Sequence, residues 1–160
     1  MKMNNITLIG MPGAGKSTLG VVLAKILGYE FLDSDLLIQK EEKRRLYQII
    51  DEEGEEGFKA IENRVNASID TENTVIATGG SVVYCSEAME HLKSIGKVVY
   101  LSLSLEPGGR PTEGQSVSRL SGPRLRLHGQ YSDRVVDEEG KDLEASLQAL
   151  LETLQTGVIK

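Results

Sequence analysis

Tryptophan is missing from this 160-residue chain, and Phe and Tyr bring the aromatic share to only 4%. So few rings leave little material for the stacking platforms that hold single-stranded nucleic acids. The one cysteine, Cys85, excludes an internal disulfide and a multi-cysteine metal site, and suits a reducing compartment. Positive charge is also scarce: 18 Lys and Arg against 24 Asp and Glu give a formal net charge of −6. A surface of that sign argues against a nucleic-acid coat or a polybasic membrane anchor. No apolar run reaches the ~18 residues of a membrane helix, and the N-terminus has no signal-peptide pattern. The expectation is one cytoplasmic domain, monomeric, with neither nucleic-acid nor membrane partners. Glycine, by contrast, is plentiful at 17 residues, and its placement is informative.

Residues 5–11 are a short, mainly apolar run, as expected of a strand buried on both faces of a parallel sheet. After a glycine-rich turn, residues 16–27 place Leu19, Val22, Leu23, Ile26 and Leu27 at helical spacing, with Gly28 as the stop. Residues 29–32 are a second short strand, which completes a unit whose helix crosses over between parallel strands. Residues 36–70 are charged and helical in character, and Glu41 to Arg45 reads as a solvated face or a link between helices. Within them, Phe58, Ile61, Val65 and Ile69 form one stripe. Further strands are expected at residues 74–77, 97–103 and 134–137. Helices are expected at residues 86–95, with Ser86 as N-cap, and at 143–154. Residues 106–114 are rich in Gly and Pro, and residues 115–128 read as partly helical. Strands alternating with helices predict an α/β sheet covered on both faces.

Gly10-Met11-Pro12-Gly13-Ala14-Gly15-Lys16-Ser17 fits G-x-x-x-x-G-K-[ST] completely, between an apolar strand and an amphipathic helix. The glycines let successive backbone N–H groups curl inward around phosphate oxygens, and the helix that follows offers its positive end to the same anion. Gly13, Ala14, Gly15, Lys16, Ser17 and Thr18 are therefore the expected nucleotide-binding residues. Lys16 would sit on the β- and γ-phosphates and the Ser17 hydroxyl on Mg²⁺. The expected ligand is a nucleoside triphosphate, ATP in the first instance. The length and the lack of a guanine-reading N-K-x-D element favour a small-molecule or nucleotide kinase over a GTPase or a motor.

Acceptor residues belong at the carboxyl ends of the strands. Asp33 and Asp35 follow the second strand, where one carboxylate can reach a magnesium shell and the other an acceptor hydroxyl. The same segment equally suits helix capping by Ser34 or Asp35. Thr78-Gly79-Gly80 follows the third strand, either as a plain turn or as a backbone lining for a polar ligand. Five arginines, Arg110, Arg119, Arg124, Arg126 and Arg134, interrupt the acidic background and point to an anion-binding segment. Cys85 and His91 read as structural or surface residues, and His128 as incidental.

With the phosphate loop, the runs F-L-D-S-D at 31–35, G-E-E-G-F-K-A-I-E at 54–62 and V-I-A-T-G-G-S at 75–81 resemble the shikimate kinase family in order and spacing. The resemblance is dense over residues 4–104 and thinner beyond. It implies a three-layer α/β/α P-loop fold of the nucleoside monophosphate kinase type, with a central five-stranded parallel sheet. Residues 1–160 would form a single kinase domain, with a substrate-binding helical region at about 36–70 and a shortened lid at about 105–115. The activity it implies is transfer of the γ-phosphate of MgATP to the 3-hydroxyl of shikimate, giving shikimate 3-phosphate and ADP on the route to chorismate and aromatic amino acids. Asp35 resembles the carboxylate that holds and activates the acceptor, and Asp33 a residue of the magnesium shell. Gly79 and Gly80 match the glycine run against the substrate ring. Lys59 and Arg124 fall at carboxylate-binding positions, and Glu62 matches an acidic neighbour. Three departures stand out. Lys59 replaces an arginine and loses its bidentate fork; Ser81 replaces a third glycine; and the lid offers only Arg110. These keep two alternatives in view: a gluconate-like or nucleotide acceptor, or a nucleotide-binding relative with impaired transfer.

Overall fold

The computed structural model describes residues 4–10, 16–79, 81–102, 132–137 and 143–159. Five strands, β1 (Asn5–Gly10), β2 (Glu30–Asp33), β3 (Thr74–Ala77), β4 (Gly96–Ser102) and β5 (Arg134–Asp137), form one sheet. Every pairing is parallel, and the order is β2-β3-β1-β4-β5. The α-helices among the described residues are α1 (Lys16–Leu27), α2 (Ser34–Glu42), α3 (Leu46–Ala67), α4 (Ser86–Ile95) and α5 (Leu143–Ile159). None of the described helices is long and apolar enough to cross a membrane. The expected α/β architecture with a five-stranded parallel sheet is observed. Strand order reverses at β1, which lies between β3 and β4 and therefore opens a crevice at its carboxyl end.

Alternation along the strands divides the core into two layers. Ile6, Leu8, Val75, Val99 and Leu101 face Leu19 and Leu23 of α1 and Leu150 and Leu154 of α5. Ile9, Ile76, Val98 and Tyr100 face Ala88, Met89, Leu92 and Ile95 of α4. A smaller cluster of Ile38, Ile49 and Val65 fastens α2 to α3. In α1 the buried stripe differs from the expected one. Leu19, Gly20, Leu23 and Ala24 face inward, whereas Ile26 is 52% and Leu27 37% exposed. The helix lies so close to the sheet that a Cβ at Gly20 would come within 2.6 Å of the Phe31 ring. Small residues occupy that seam, and the larger aliphatics at the end of the helix are turned outward.

Two helix starts also differ from expectation. Cys85 holds the N-cap position of α4 without a side-chain bond, and Ser86 is the first helical residue. Asn63 of α3 takes over the capping: its Oδ1 accepts from Ala88 N at 2.9 Å, while its Nδ2 donates to Glu87 Oε1 at 2.9 Å. At α2 the cap is Asp33, not Ser34 or Asp35. The charged run at 41–45 is the expected link between helices. Lys43 adopts a left-handed conformation (φ 56°), and Arg44 bridges Glu42, Glu52 and Glu53 at 2.7, 2.6 and 3.2 Å. α3 is kinked at Gly54 (φ 78°, ψ 174°).

One buried amide joins the start of the sheet to the connections around it. Asn5 is 2% exposed; its Nδ2 donates to Thr71 O at 2.9 Å and Ile95 O at 3.0 Å, and its Oδ1 accepts from Thr74 N at 3.0 Å. Removing it leaves three main-chain groups of two connections without that partner. Asn5→Ala is therefore expected to lower unfolding stability by about 2–4 kcal/mol, read from urea unfolding. A loss under about 0.5 kcal/mol, the usual range of surface changes, would contradict this role.

Candidate active site

The site is built where β1, β2 and β3 end. The chain leaving β3 is held against β1 because Thr78 donates twice to Leu8 O, through its amide at 3.3 Å and its hydroxyl at 2.8 Å. Asp33, at the end of β2, uses both carboxylate oxygens. Its Oδ1 accepts from the amides of Asp35 at 2.9 Å and Leu36 at 3.3 Å, which caps α2. Its Oδ2 accepts from the Ser17 hydroxyl at 3.0 Å, which ties α2 to the first turn of α1. Beside them Lys16 is only 8% exposed, and its Nζ donates to Gly10 O at 3.0 Å. Capping and a link to Ser17 are thus one and the same carboxylate.

Asp35 sits in the first turn of α2 and faces Gly79. A Cβ on Gly79 would stand 2.8 Å from Asp35 Oδ1 and 3.0 Å from Glu62 Oε2, so the two acids close around a position that has no room for a side chain. Burial pushes the Asp35 carboxyl above its ordinary value, the Asp33 carboxylate adds to that push, and the Lys16 ammonium opposes it. Glu62 is 1% exposed, and its Oε1 accepts from the Ser81 hydroxyl at 2.7 Å. Ser81, which departs from the third glycine of the resembled family, is therefore engaged with a buried acid. Cys85 donates weakly to Lys59 O at 3.7 Å; burial first, and Glu62 second, push its thiol up to about 12. A thiol in that state is inert, as its reading as a structural residue requires.

Next to this cluster lies a cavity of about 330 Å³ lined by Ile50, Glu55, Phe58, Lys59, Ser81 and Tyr84. That volume suits a small ligand. Lys59 supplies its cation, with Nζ 4.9 Å from the Tyr84 ring centroid and 4.0 Å from Glu56 Oε2. Lys16, Ser17, Asp33, Asp35 and Gly79 therefore stand together, and Lys59 is joined to them through the wall formed by Ser81 and Glu62. Thr18 is exposed on α1. Gly13, Ala14, Gly15, Gly80, Arg110, Arg124, the lid at 105–115 and the partly helical stretch at 115–128 lie outside the described residues. Sequence reasoning missed Ile50, Glu55 and Tyr84 as lining residues. The only local signal for Tyr84 is an aromatic placed after the buried pair Val82-Val83.

Ser17 and Asp33 present hard oxygens of the kind that Mg²⁺ takes from a protein when phosphates and water complete its shell. Among the described residues there is no group of three or more His, Cys, Asp or Glu able to hold a metal alone. That donor set fits a cation brought in with a nucleotide.

The family model for shikimate kinase matches residues 12–155. A curated shikimate kinase of Francisella tularensis subsp. novicida is 47% identical over 108 residues, covering 66% of this chain and 61% of that protein. This chain thus spans about three-fifths of the first curated relatives it matches. One from Synechococcus is 36% identical over 156 residues, covering 90% of this chain and 76% of the relative. Among solved structures, shikimate kinase from Acinetobacter baumannii in complex with shikimate superposes with a TM-score of 0.83 at 29% identity, over 99% of this chain and 96% of that one. The P-loop kinase fold read from the sequence is the fold observed, and the chain belongs to the shikimate kinase family.

Proposed function

We propose that this protein transfers the γ-phosphate of ATP to the 3-hydroxyl of shikimate, releasing shikimate 3-phosphate and ADP, as a step towards chorismate and the aromatic amino acids. Residues 1–160 act in this reading as one kinase domain, with residues 36–70 on the acceptor side and a short lid at 105–115. A cytoplasmic location fits such a role. The observation that carries the proposal is the placement of Asp35: a half-buried carboxylate at the ends of β2 and β3, beside Lys16 and the Ser17–Asp33 pair, with a cation-bearing cavity on the adjoining wall.

Lys16, Gly13, Ala14, Gly15, Ser17 and Thr18 bind the triphosphate, and Lys16 exchanges its bond to Gly10 O for the β- and γ-oxygens. Ser17 and Asp33 would hold Mg²⁺, which neutralises charge on the phosphates when bound. Asp35 orients the acceptor hydroxyl and takes its proton as the oxygen bonds to the γ-phosphorus and the bond to the β,γ-bridging oxygen breaks. Gly79 and Gly80 leave space for the acceptor ring, and Lys59 with Arg124 pairs the acceptor carboxylate.

The raised pKa of Asp35 has a consequence with a definite sign. A carboxyl whose value is higher in the folded state than in the unfolded one costs stability once it ionises, so that cost is absent below its unfolded value and fully present above its folded value. Asp35→Asn is therefore expected to raise Tm at pH 7, with the gain shrinking to nothing as pH falls below the ordinary carboxylate range. A Tm that falls at neutral pH would contradict the assigned burial.

Activity gives the opposite response to the same change. A coupled assay should show ADP release that depends on shikimate, and Asp35→Asn should lower kcat about 10²- to 10⁴-fold with ATP binding largely intact. Equal ADP release with and without shikimate would remove the proposed activity, and a larger signal from gluconate or a nucleoside monophosphate would reassign the acceptor.

A further inference from the structure

We propose that Tyr84 is a positioning residue: its ring holds the Lys59 ammonium at the mouth of the acceptor cavity and so sets how tightly an acceptor carboxylate is bound. The inference rests on the acceptor reading above and deepens it. A lysine is a point charge on a four-carbon stem, and a site that uses one to orient a planar carboxylate has to restrain that stem by other means. Among the described residues two partners stand beside the ammonium. Glu56 is 94% exposed and its oxygen is 4.0 Å from Nζ, so this ion pair is loose and solvent-screened. The Tyr84 ring lies with its centroid 4.9 Å from Nζ, within the range of a cation–π contact, and it neutralises no charge, so the ammonium stays available to an anion.

The ring itself is firmly seated. Tyr84 ends a single 3-10 turn, Val82–Tyr84, whose first two side chains are fully buried at 0% and 1% exposure. Its amide donates to Ser81 O at 3.1 Å, and Cys85 N donates to Val82 O at 2.8 Å. On the other side, the backbone of Lys59 is met by the Cys85 thiol. Both ends of the contact are thus fixed to the same small unit, and both residues line the same cavity. Tyr84 is 40% exposed, so its ring is a wall of the opening and not a part of the core.

The test uses shikimate as the probe, titrated calorimetrically into the whole protein, with Tyr84→Leu, Tyr84→Phe, Lys59→Met and the Tyr84→Leu/Lys59→Met double variant. Tyr84→Leu should raise the Kd for shikimate about two- to fivefold, as expected for a partly exposed cation–π contact, whereas Tyr84→Phe keeps the wild-type value. In the Lys59→Met background the leucine change should have no further effect. The wild-type protein should also show the Lys59 ε-methylene protons shifted upfield by the ring current, a signature kept in the phenylalanine variant. Wild-type binding in Tyr84→Leu, an equal weakening with Lys59 already gone, or no upfield shift in the unaltered protein would each overturn the assignment. Binding weakened by Tyr84→Leu without any shikimate-dependent ADP release would remove the kinase reading and leave Tyr84 in its role. Turnover with unchanged binding in Tyr84→Leu would do the reverse, and no shikimate binding by the wild type would overturn both.

Discussion

The carboxylate of Asp33 is the joint on which the site depends. It ends β2, caps α2 with one oxygen and receives the Ser17 hydroxyl on the other. Each of those bonds fixes something beyond itself. Capping through the amide of Asp35 sets where α2 begins, and that in turn aims the Asp35 side chain at Gly79. The bond to Ser17 sets α2 against the first turn of α1, and with it the placement of Asp35 relative to Lys16. A neutral cap such as serine would satisfy the helix equally well, but it has no second strong acceptor to give away.

The same geometry concentrates acids where folding alone would not place them. Asp33, Asp35 and Glu62 gather around the ends of β2 and β3, with Lys16 as the nearby cation and Ser81 as a neutral donor. Gly79 makes the crowding sterically possible, since any side chain there would displace an acid. Elsewhere the chain spreads its charges conventionally: Arg44 distributes itself over three glutamates at the surface link between α2 and α3. Burial and the neighbouring Asp33 carboxylate raise the Asp35 carboxyl, the kind of perturbation that marks a candidate functional site.

The fold was largely legible from pattern alone. Short apolar runs separated by helical periods led to all five strands, because runs of only four to seven residues bounded by turn signals are too short for helices. The phosphate loop and the D-S-D run named Lys16, Ser17, Asp33 and Asp35, since those residue types at those spacings have a mechanical reason to occur together. Contacts between distant segments were not legible. Asn63 caps a helix 25 residues away, which no local window reveals, so Ser86 looked like the cap. The inward seam of α1 was misjudged because close approach selects Gly20 and Ala24 over the bulkier Ile26 and Leu27. Tyr84 escaped notice for the same reason: nothing near it in sequence announces Lys59.

The cap that Asn63 supplies also ties the carboxyl half of α3 to α4. Its amide binds both the backbone and Glu87 at the head of α4; the neighbouring Glu62 is bonded to Ser81, and Lys59, one turn earlier, to Cys85. The carboxyl half of α3 and the segment from Ser81 into α4 are consequently bonded at several points, and α4 packs on the sheet. Across the break at Gly54, α2 packs on both halves of α3, through Ile38 with Ile49 and Val65 and through Glu42 with Arg64. The cavity is lined by Ile50 from before the break and by Lys59, Ser81 and Tyr84 from beyond it. The cavity therefore draws its lining from both sides of the kink, while its cation is held on the side bonded to α4.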